Sequence, residues 1–207
     1  MIVEKEIERI ECELKSAFER KQTFDMTDFR AKPLDEVRIG FIGVGFRGAK
    51  AVLRAGKIPN ARIAALCDLD GRKVFKSLED LSSLCNKNIK TYIGGNSWRK
   101  LCEDKDIDLV YIATPWREHS KMASYAMQCG KHAAVEIPAA FTIAECVELA
   151  NIAEHTKRHC FQLSNCAYDF FELAVSNMAK NGVLGEIFHV EGAYIHEILS
   201  YVLNKEN

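Results

Sequence analysis

The chain has 207 residues, of which 48% are hydrophobic and 28% are charged, and its formal net charge at pH 7 is -1. This length and composition suffice for one ordinary buried core, with room for a fragment of a second domain. The near-neutral charge argues against a nucleic acid or an anionic membrane as a partner, and no apolar run is long enough to span a bilayer. We therefore expect a globular protein that is neither exported nor inserted into a membrane.

Eight cysteines raise the question of a metal site or a disulfide framework. Their spacing contains no CxxC pair, and several lie in apolar runs, so buried free thiols in a reducing compartment are the simpler interpretation. We expect no metal site and a cytoplasmic location. The cysteines are Cys12, Cys67, Cys85, Cys102, Cys129, Cys146, Cys160 and Cys166.

Residues 1–36 form a segment that precedes the main domain. Apolar residues recur every three or four positions from Val3 to Ala17, with charged residues between them, which predicts an amphipathic helix. This helix could pack on its own domain or on a second copy of the chain. Residues 22–36 show no sustained period and contain Pro33, which indicates a linker or an extended arm.

From residue 37 onward, short apolar runs alternate with helical segments, which is the pattern of βαβ units and a parallel sheet. We predict an α/β protein with a Rossmann doubly wound parallel sheet over 37–165 and a truncated start of a second α+β domain over 166–207. The final strand is one more than a six-stranded Rossmann sheet needs, so we expect it to open a second sheet. Helices are predicted at 46–55, 71–84, 96–103, 117–129, 142–156 and 168–181, and strands at 37–42, 61–67, 91–93, 108–113, 132–136, 160–164 and 186–194.

The first predicted strand runs directly into Gly43-Val44-Gly45-Phe46-Arg47-Gly48, a GxGxxG sequence at the start of a helix. In a dinucleotide-binding turn, the first glycine allows the tight turn and the second lets the backbone approach the pyrophosphate. The third lets the helix pack closely on the strand. The free N–H groups of the helix then face the phosphate charge. We therefore predict that this turn, including Phe46 and Arg47, binds a dinucleotide cofactor.

An acidic residue follows the second predicted strand, as a dinucleotide site requires. Asp68 lies about 20 residues beyond Gly48, where a carboxylate can accept hydrogen bonds from the adenosine ribose hydroxyls. It would also repel a 2′-phosphate, so we predict NAD as the cofactor, although Arg72 and Lys73 keep NADP open as a less favoured choice. Asp68 and Asp70 could instead cap the next helix, and the two roles are compatible.

Two further motifs follow later strands. Thr114-Pro115, with His119 four residues on, follows the fourth strand, and Glu136-Ile137-Pro138 follows the fifth. Together with the glycine turn, they resemble the Gfo/Idh/MocA family of oxidoreductase-fold proteins. In that family the Thr-Pro turn and the His lie beside the nicotinamide end of the cofactor. The family usually has Glu-Lys-Pro, whose Lys helps to transfer a proton in sugar dehydrogenases. Ile137 stands in place of that Lys, which argues against the ordinary dehydrogenase mechanism.

A narrower resemblance includes the segments 136–140, 165–173 and 189–196. From about Phe24 to about Glu197, the chain resembles glycoside hydrolase family 109, the NAD-dependent α-N-acetylgalactosaminidases. The resemblance implies a redox-assisted elimination, in which hydride leaves C3 of the sugar, the C2 proton becomes acidic and the glycosidic oxygen departs. Water then adds and the hydride returns. Because the family continues well beyond this length, we expect cofactor binding but no turnover by this chain alone.

The resemblance also implies roles for individual residues. Glu136 is expected to act on the nicotinamide side and in catalysis, with His119 as a weaker candidate. Tyr168 is expected to contact the substrate or transfer a proton, with Asn165 as a second substrate contact. Tyr168 could instead fill the core, and His119 could belong to a helix surface. The expected cofactor contacts are Gly43, Gly45, Phe46, Arg47, Gly48, Asp68, Thr114, Pro115, His119 and Glu136.

Three functional classes stay open: an NAD-dependent glycosidase lineage, a sugar dehydrogenase of the same superfamily, and a module that binds NAD(H) without turnover. Ile137 argues against the second class, and we favour the first as the ancestry of this chain. Tyr194 and His196 are interpreted as residues of the last strand. That strand would expose unpaired backbone groups and an apolar face, so we also expect a homo-oligomer.

Overall fold

A computed structural model describes residues 2–82, 88–193 and 195, with side chains from residue 5 onward. The chain forms two compact units, Met1–Leu163 and Ser164–Asn207. The first unit holds the sheet described below. The interpretation of residues 166–207 as the start of a substrate domain stays a prediction.

The sheet of the first unit consists of six parallel strands. They are β1 (Val37–Ile42), β2 (Ala61–Asp68), β3 (Lys90–Ile93), β4 (Leu109–Ile112), β5 (His132–Glu136) and β6 (Cys160–Leu163). Their order across the sheet is β3-β2-β1-β4-β5-β6, so the chain moves outward from β1 to β3 and then continues from β4 on the other side of β1. The predicted α/β fold with a doubly wound parallel sheet is therefore confirmed.

One helix precedes β1, and the others of the first unit connect the strands and cover both faces of the sheet. They are α1 (Ile2–Phe18), α2 (Phe46–Ala55), α3 (Gly71–Leu81), α4 (Ser97–Glu103), α5 (His119–Gln128) and α6 (Ile143–Thr156), and the second unit contains α7 (Phe170–Lys180). None of the helices in the described ranges combines the length and the hydropathy needed to cross a bilayer.

Two apolar cores form because the side chains of a strand alternate between the faces of the sheet. In β1, Phe41 belongs to the core that includes Val52 of α2 and Val74 of α3. Its neighbour Ile42 belongs to the opposite core, which includes Leu101 of α4. Strands buried on both faces read as continuous apolar runs, which is why the runs in the sequence predict this sheet well.

One predicted strand and several predicted helix ends differ from the structure. A 3-10 turn at Trp116–Glu118 precedes α5, so that helix begins at His119 rather than at 117. The strand predicted over 186–194 is wrong for residues 186–193, which form no strand. A strand needs a neighbour to pair its backbone groups, and no described strand pairs with this segment. Tyr194 and His196 lie outside the described residues.

The residues before β1 pack on α6, where a buried carboxylate binds two of them. Glu154 of α6 is only 5% exposed. Its Oε2 atom accepts hydrogen bonds from the backbone N–H of Thr23 at 2.8 Å and from the Thr23 hydroxyl at 3.0 Å. Its Oε1 atom lies 2.7 Å from the guanidinium of Arg20. Helix α1 also contacts α6. The helix therefore packs on its own domain, which is one of the two arrangements that the sequence left open.

This anchor predicts a pH-dependent contribution to stability. The Arg20 guanidinium and the Thr23 N–H lower the pKa of Glu154 from 4.5 to about 2. Because the pKa is lower in the folded state, the stabilisation is complete above the ordinary pKa and is lost as the pH falls towards 2. Glu154→Gln is expected to melt at a lower temperature than the unaltered chain near neutral pH, and this difference should shrink in calorimetric scans at progressively acidic pH.

Glu148→Gln is the matched control, because Glu148 is exposed on the same helix and makes no ion pair among the described residues. It should melt like the unaltered chain throughout. If the difference in melting temperature between Glu154→Gln and the unaltered chain stayed constant from neutral to acidic pH, the carboxylate charge of Glu154 would not hold Arg20 and Thr23 in place.

Candidate functional site

A cavity of about 690 Å³ opens at the carboxyl edge of the sheet. It lies where β1 and β4 stand side by side but their connections lead in opposite directions, which is where open α/β sheets bind ligands. Five of the residues expected from the sequence line this cavity: Gly43, Gly45, Asp68, Thr114 and Pro115. The fold therefore brings the glycine turn, the acid after β2 and the Thr-Pro turn after β4 to one place.

The three glycines of the turn meet different surroundings. Gly43 has a φ of +85°, and a Cβ atom there would lie 2.5 Å from the carbonyl oxygen of Ala113. A Cβ atom on Gly48 would overlap the carbonyl oxygen of Gly43. A Cβ atom on Gly45 would project into the cavity, where the nearest atom is the ammonium nitrogen of Lys73 at 3.8 Å. Gly43 and Gly48 are thus required by the backbone, whereas Gly45 keeps the cavity open.

Helix α2 begins directly after this turn. Gly45 is its N-cap, no side chain accepts from its first N–H groups, and its first turn contains no acidic residue. The first N–H groups of a helix lack partners within the helix, so they are available to an anionic group. Phe46 does not line the cavity; it is exposed, with the Lys50 ammonium 3.9 Å from the centre of its ring.

Asp68 joins the end of β2 to the glycine turn. Its Oδ2 atom accepts from the N–H of Val44 at 2.9 Å, and its Oδ1 atom accepts from the N–H of Asp70 at 3.0 Å. The cap of α3 is Asp70, which accepts from the N–H of Arg72 at 2.9 Å. Two backbone N–H groups therefore fix the carboxylate of Asp68 at the cavity wall, and the capping role considered for it belongs to Asp70.

Glu136 is 6% exposed at the end of β5 and does not line the cavity. Its Oε1 atom accepts from Arg47 Nε at 3.0 Å and from the Tyr111 hydroxyl at 2.6 Å. Burial and this hydrogen bond raise the pKa of Tyr111, and the bond to Glu136 raises the pKa of Arg47. Glu136 therefore ties the glycine turn, through Arg47, to β4 and β5.

His119 is 1% exposed at the first position of α5, so the helix-surface interpretation is wrong. Its Nδ1 atom lies 2.8 Å from the carbonyl oxygen of Pro138, and its Nε2 atom lies 2.7 Å from that of Thr114. The imidazole thus bridges the turn after β4 and the turn after β5. His119 contacts Thr114, which lines the cavity, and direct contact of His119 with a cofactor stays a prediction.

Asn165 and Tyr168 belong to the second unit. Tyr168 ends a 3-10 turn, where its N–H donates to the carbonyl oxygen of Asn165 at 3.1 Å. The Tyr168 side chain is 67% exposed, so the interpretation that it fills the core is wrong. The roles of both residues towards a substrate stay predictions.

Several residues of the site are absent from the sequence predictions. The Gly94-Gly95-Asn96 turn and Trp98 line the cavity, and Trp98 is 6% exposed. The rule that carboxyl ends of parallel strands meet at one edge points to this turn, since it follows β3 directly. Tyr111 lies between Val110 and Ile112, which are buried in the core against α4 and α5, so alternation along β4 places Tyr111 on the other face of the sheet.

No group of three or more metal-ligating side chains occurs in the described ranges.

Comparison with known proteins identifies relatives of this chain. A family model described as the oxidoreductase family with an NAD-binding Rossmann fold, GFO_IDH_MocA, matches residues 37–163. The chain is 50% identical over 175 residues to glycosyl hydrolase family 109 protein 1 of Bacteroides fragilis, which covers 84% of this chain and 38% of that protein. It is 45% identical over 175 residues to an α-N-acetylgalactosaminidase of the same organism, covering 84% and 41%. The chain therefore spans about two fifths of the length of these relatives.

Solved structures share the fold of the first unit. An NAD-binding oxidoreductase from Klebsiella pneumoniae is 27% identical, with a TM-score of 0.62, over 73% of this chain and 40% of that one. A scyllo-inositol dehydrogenase from Lactobacillus casei, solved with NAD(H) and scyllo-inositol, is 18% identical, with a TM-score of 0.64, over 73% and 43%. The second likeness concerns the fold alone. Because the family model covers more than half of the sequence, the chain belongs to the Gfo/Idh/MocA oxidoreductase family, and its sheet is an NAD(P)-binding Rossmann fold.

Proposed function

We propose that this chain is the NAD(H)-binding part of an NAD-dependent glycosidase that acts on α-N-acetylgalactosaminides. The observation that carries the proposal is the cradle at Gly45, where bare backbone faces the cavity beside the fixed carboxylate of Asp68. The likeness to glycosyl hydrolase family 109 proteins supports the choice of chemistry. NAD+ bound in the cavity would supply a hydride acceptor for a sugar carbon.

The residues present fit a dinucleotide. A cavity of about 690 Å³ falls in the range of small-molecule sites. The open backbone at Gly45 and the free N–H groups of α2 suit a pyrophosphate. The carboxylate of Asp68 suits the adenosine ribose hydroxyls, and the Gly94-Gly95-Asn96 turn beyond it suits the adenine side.

The charges near the ribose position favour NAD over NADP. Asp68 would repel a 2′-phosphate. The nearby guanidinium of Arg72 is engaged with its own neighbour Asp70, with Nε at 3.0 Å and a terminal nitrogen at 2.8 Å from the carboxylate oxygens. These contacts leave Arg72 less available to a 2′-phosphate. We therefore propose NAD as the cofactor.

Residues on the nicotinamide side have proposed roles that differ in kind. Glu136 is buried and pairs with the half-exposed Arg47 beside the glycine turn, and we assign Glu136 to the polar surroundings of the nicotinamide. His119 is a positioning residue, because both of its ring nitrogens are engaged with backbone carbonyl groups. Tyr168 and Asn165 are retained as substrate-side residues on the strength of the family 109 resemblance.

One assay separates the chemistries open to this family. The protein is incubated with NAD+ and a chromogenic α-N-acetylgalactosaminide, while chromophore release and NADH absorbance are followed together. A redox-assisted elimination returns its hydride, so the proposal predicts chromophore release without net NADH in any form of the protein that turns over. NADH that accumulates without release would contradict the glycosidase assignment and indicate a sugar dehydrogenase. Cofactor binding without either signal, in a protein as long as the family 109 relatives, would indicate a module that binds NAD(H) without turnover.

Assembly and location are further parts of the proposal. Large apolar side chains of the second unit, among them Phe170, Phe188 and Val190, are exposed, which supports a homo-oligomer in which a second copy covers them. Cys67 and Cys102 are free thiols, and burial raises the pKa of Cys67 to about 12. Buried unpaired thiols are typical of reducing compartments, which supports a cytoplasmic location.

A further inference from the structure

Five charged side chains line the cavity: Asp68, Asp70, Lys73, Glu118 and Lys121. Four of them already have partners. Both oxygens of Asp68 accept backbone N–H groups, Asp70 pairs with Arg72, and Lys121 lies 3.3 Å from Glu118. Lys73 is the charged lining residue that makes no ion pair or side-chain hydrogen bond with the described part of the chain.

The position of this unpaired ammonium group is informative. Lys73 is on the first turn of α3, and its Nζ atom lies 3.8 Å from the point that a Cβ on Gly45 would occupy. The ammonium therefore stands beside the open backbone of the glycine turn, within the same cavity. An anion placed against Gly45 would have the N–H groups of α2 on one side and the Lys73 ammonium on the other.

We propose that Lys73 binds the pyrophosphate of the cofactor rather than a 2′-phosphate. This inference rests on the proposed function and deepens it by assigning a residue to the diphosphate. A 2′-phosphate would lie with the ribose at Asp68, whose carboxylate is fixed and negatively charged. The Lys73 ammonium stands at the glycine turn, where the diphosphate carries its charge. Lys73 thus supplies binding energy that NAD and NADP share, and it does not decide between them.

The test measures dissociation constants for the full chain and for Lys73→Gln with NAD+, NADP+, ADP and adenosine. Loss of one charge-assisted contact to phosphate is expected to raise the dissociation constants of NAD+ and ADP about ten-fold. Adenosine, which lacks phosphate, should bind both forms equally. The ratio of the NAD+ and NADP+ constants should not change. Binding of NAD+ should also depend less steeply on salt concentration in the variant.

Lys76→Gln is the matched control, since Lys76 is exposed on the same helix and does not line the cavity. It should bind all four ligands like the unaltered chain. Equal NAD+ affinity in Lys73→Gln and the unaltered chain would overturn the proposal, and so would a loss confined to NADP+. An unaltered chain that binds none of the ligands would instead overturn the proposed function, so the two failures are distinguishable.

Discussion

Gly48→Ala is expected to lower the melting temperature by about 6–12 °C, which corresponds to about 3 kcal/mol of unfolding free energy for a chain of this size. The added methyl group would overlap the carbonyl oxygen of Gly43, and a Cβ also approaches the Ala113 side chain to 3.5 Å. Because the first obstacle is backbone, it cannot turn away as a flexible side chain would. Alanine gains about 1 kcal/mol of helix propensity over glycine, which is too little to offset the overlap.

Thermal unfolding followed by circular dichroism measures this effect. Gly95→Ala is the control, because a Cβ on Gly95 meets no atom within 4 Å. It should melt within about one degree of the unaltered chain, since substitutions away from packed features change stability little. If Gly48→Ala melted like Gly95→Ala, α2 would not pack as closely on β1 as the structure shows.

Gly45→Asp is expected to weaken NADH binding at least about 100-fold while the fold is retained. A side chain on Gly45 meets only the end of Lys73, so the backbone accommodates it. The same side chain occupies the place proposed for the pyrophosphate. Two like charges about 4 Å apart near a protein surface repel by about 4 kcal/mol, and the new carboxylate would also pair with the Lys73 ammonium and so remove it from the pyrophosphate.

Gly45→Asn separates charge from volume, since it has nearly the same size without the charge. It should bind NADH more weakly than the unaltered chain but more tightly than Gly45→Asp. Both variants should melt near the temperature of the unaltered chain. Unchanged NADH affinity in both would show that the dinucleotide does not pass over Gly45.

Local patterns in the sequence determine most of this fold. The glycine turn, the acid after β2 and the apolar runs of β1 and β5 are contiguous signals, and a strand buried on both faces reads as a continuous apolar run. The sequence did not reveal the contacts between distant residues. Arg47 and Glu136 are 89 positions apart, and nothing in either neighbourhood specifies the other.

His119 and the predicted last strand show two other limits. The family resemblance of the Thr-Pro turn and His119 implies a contact with a cofactor, but it cannot show that both ring nitrogens face backbone carbonyl groups from separate turns. The segment 186–193 has a strand-like pattern, yet whether a strand forms depends on a neighbour that its own residues do not encode.

The most direct measurement is a fluorescence titration of Trp116→Phe with NADH. This variant keeps Trp98, which lines the cavity, and removes Trp116, which is 60% exposed. NADH bound in the cavity should quench Trp98 emission with saturation at one equivalent, NAD+ should reverse the quenching by competition, and adding Gly45→Asp should abolish it. If millimolar NADH gave no saturable change, or if Gly45→Asp left the quenching intact, the cavity at the glycine turn would not be the NAD(H) site.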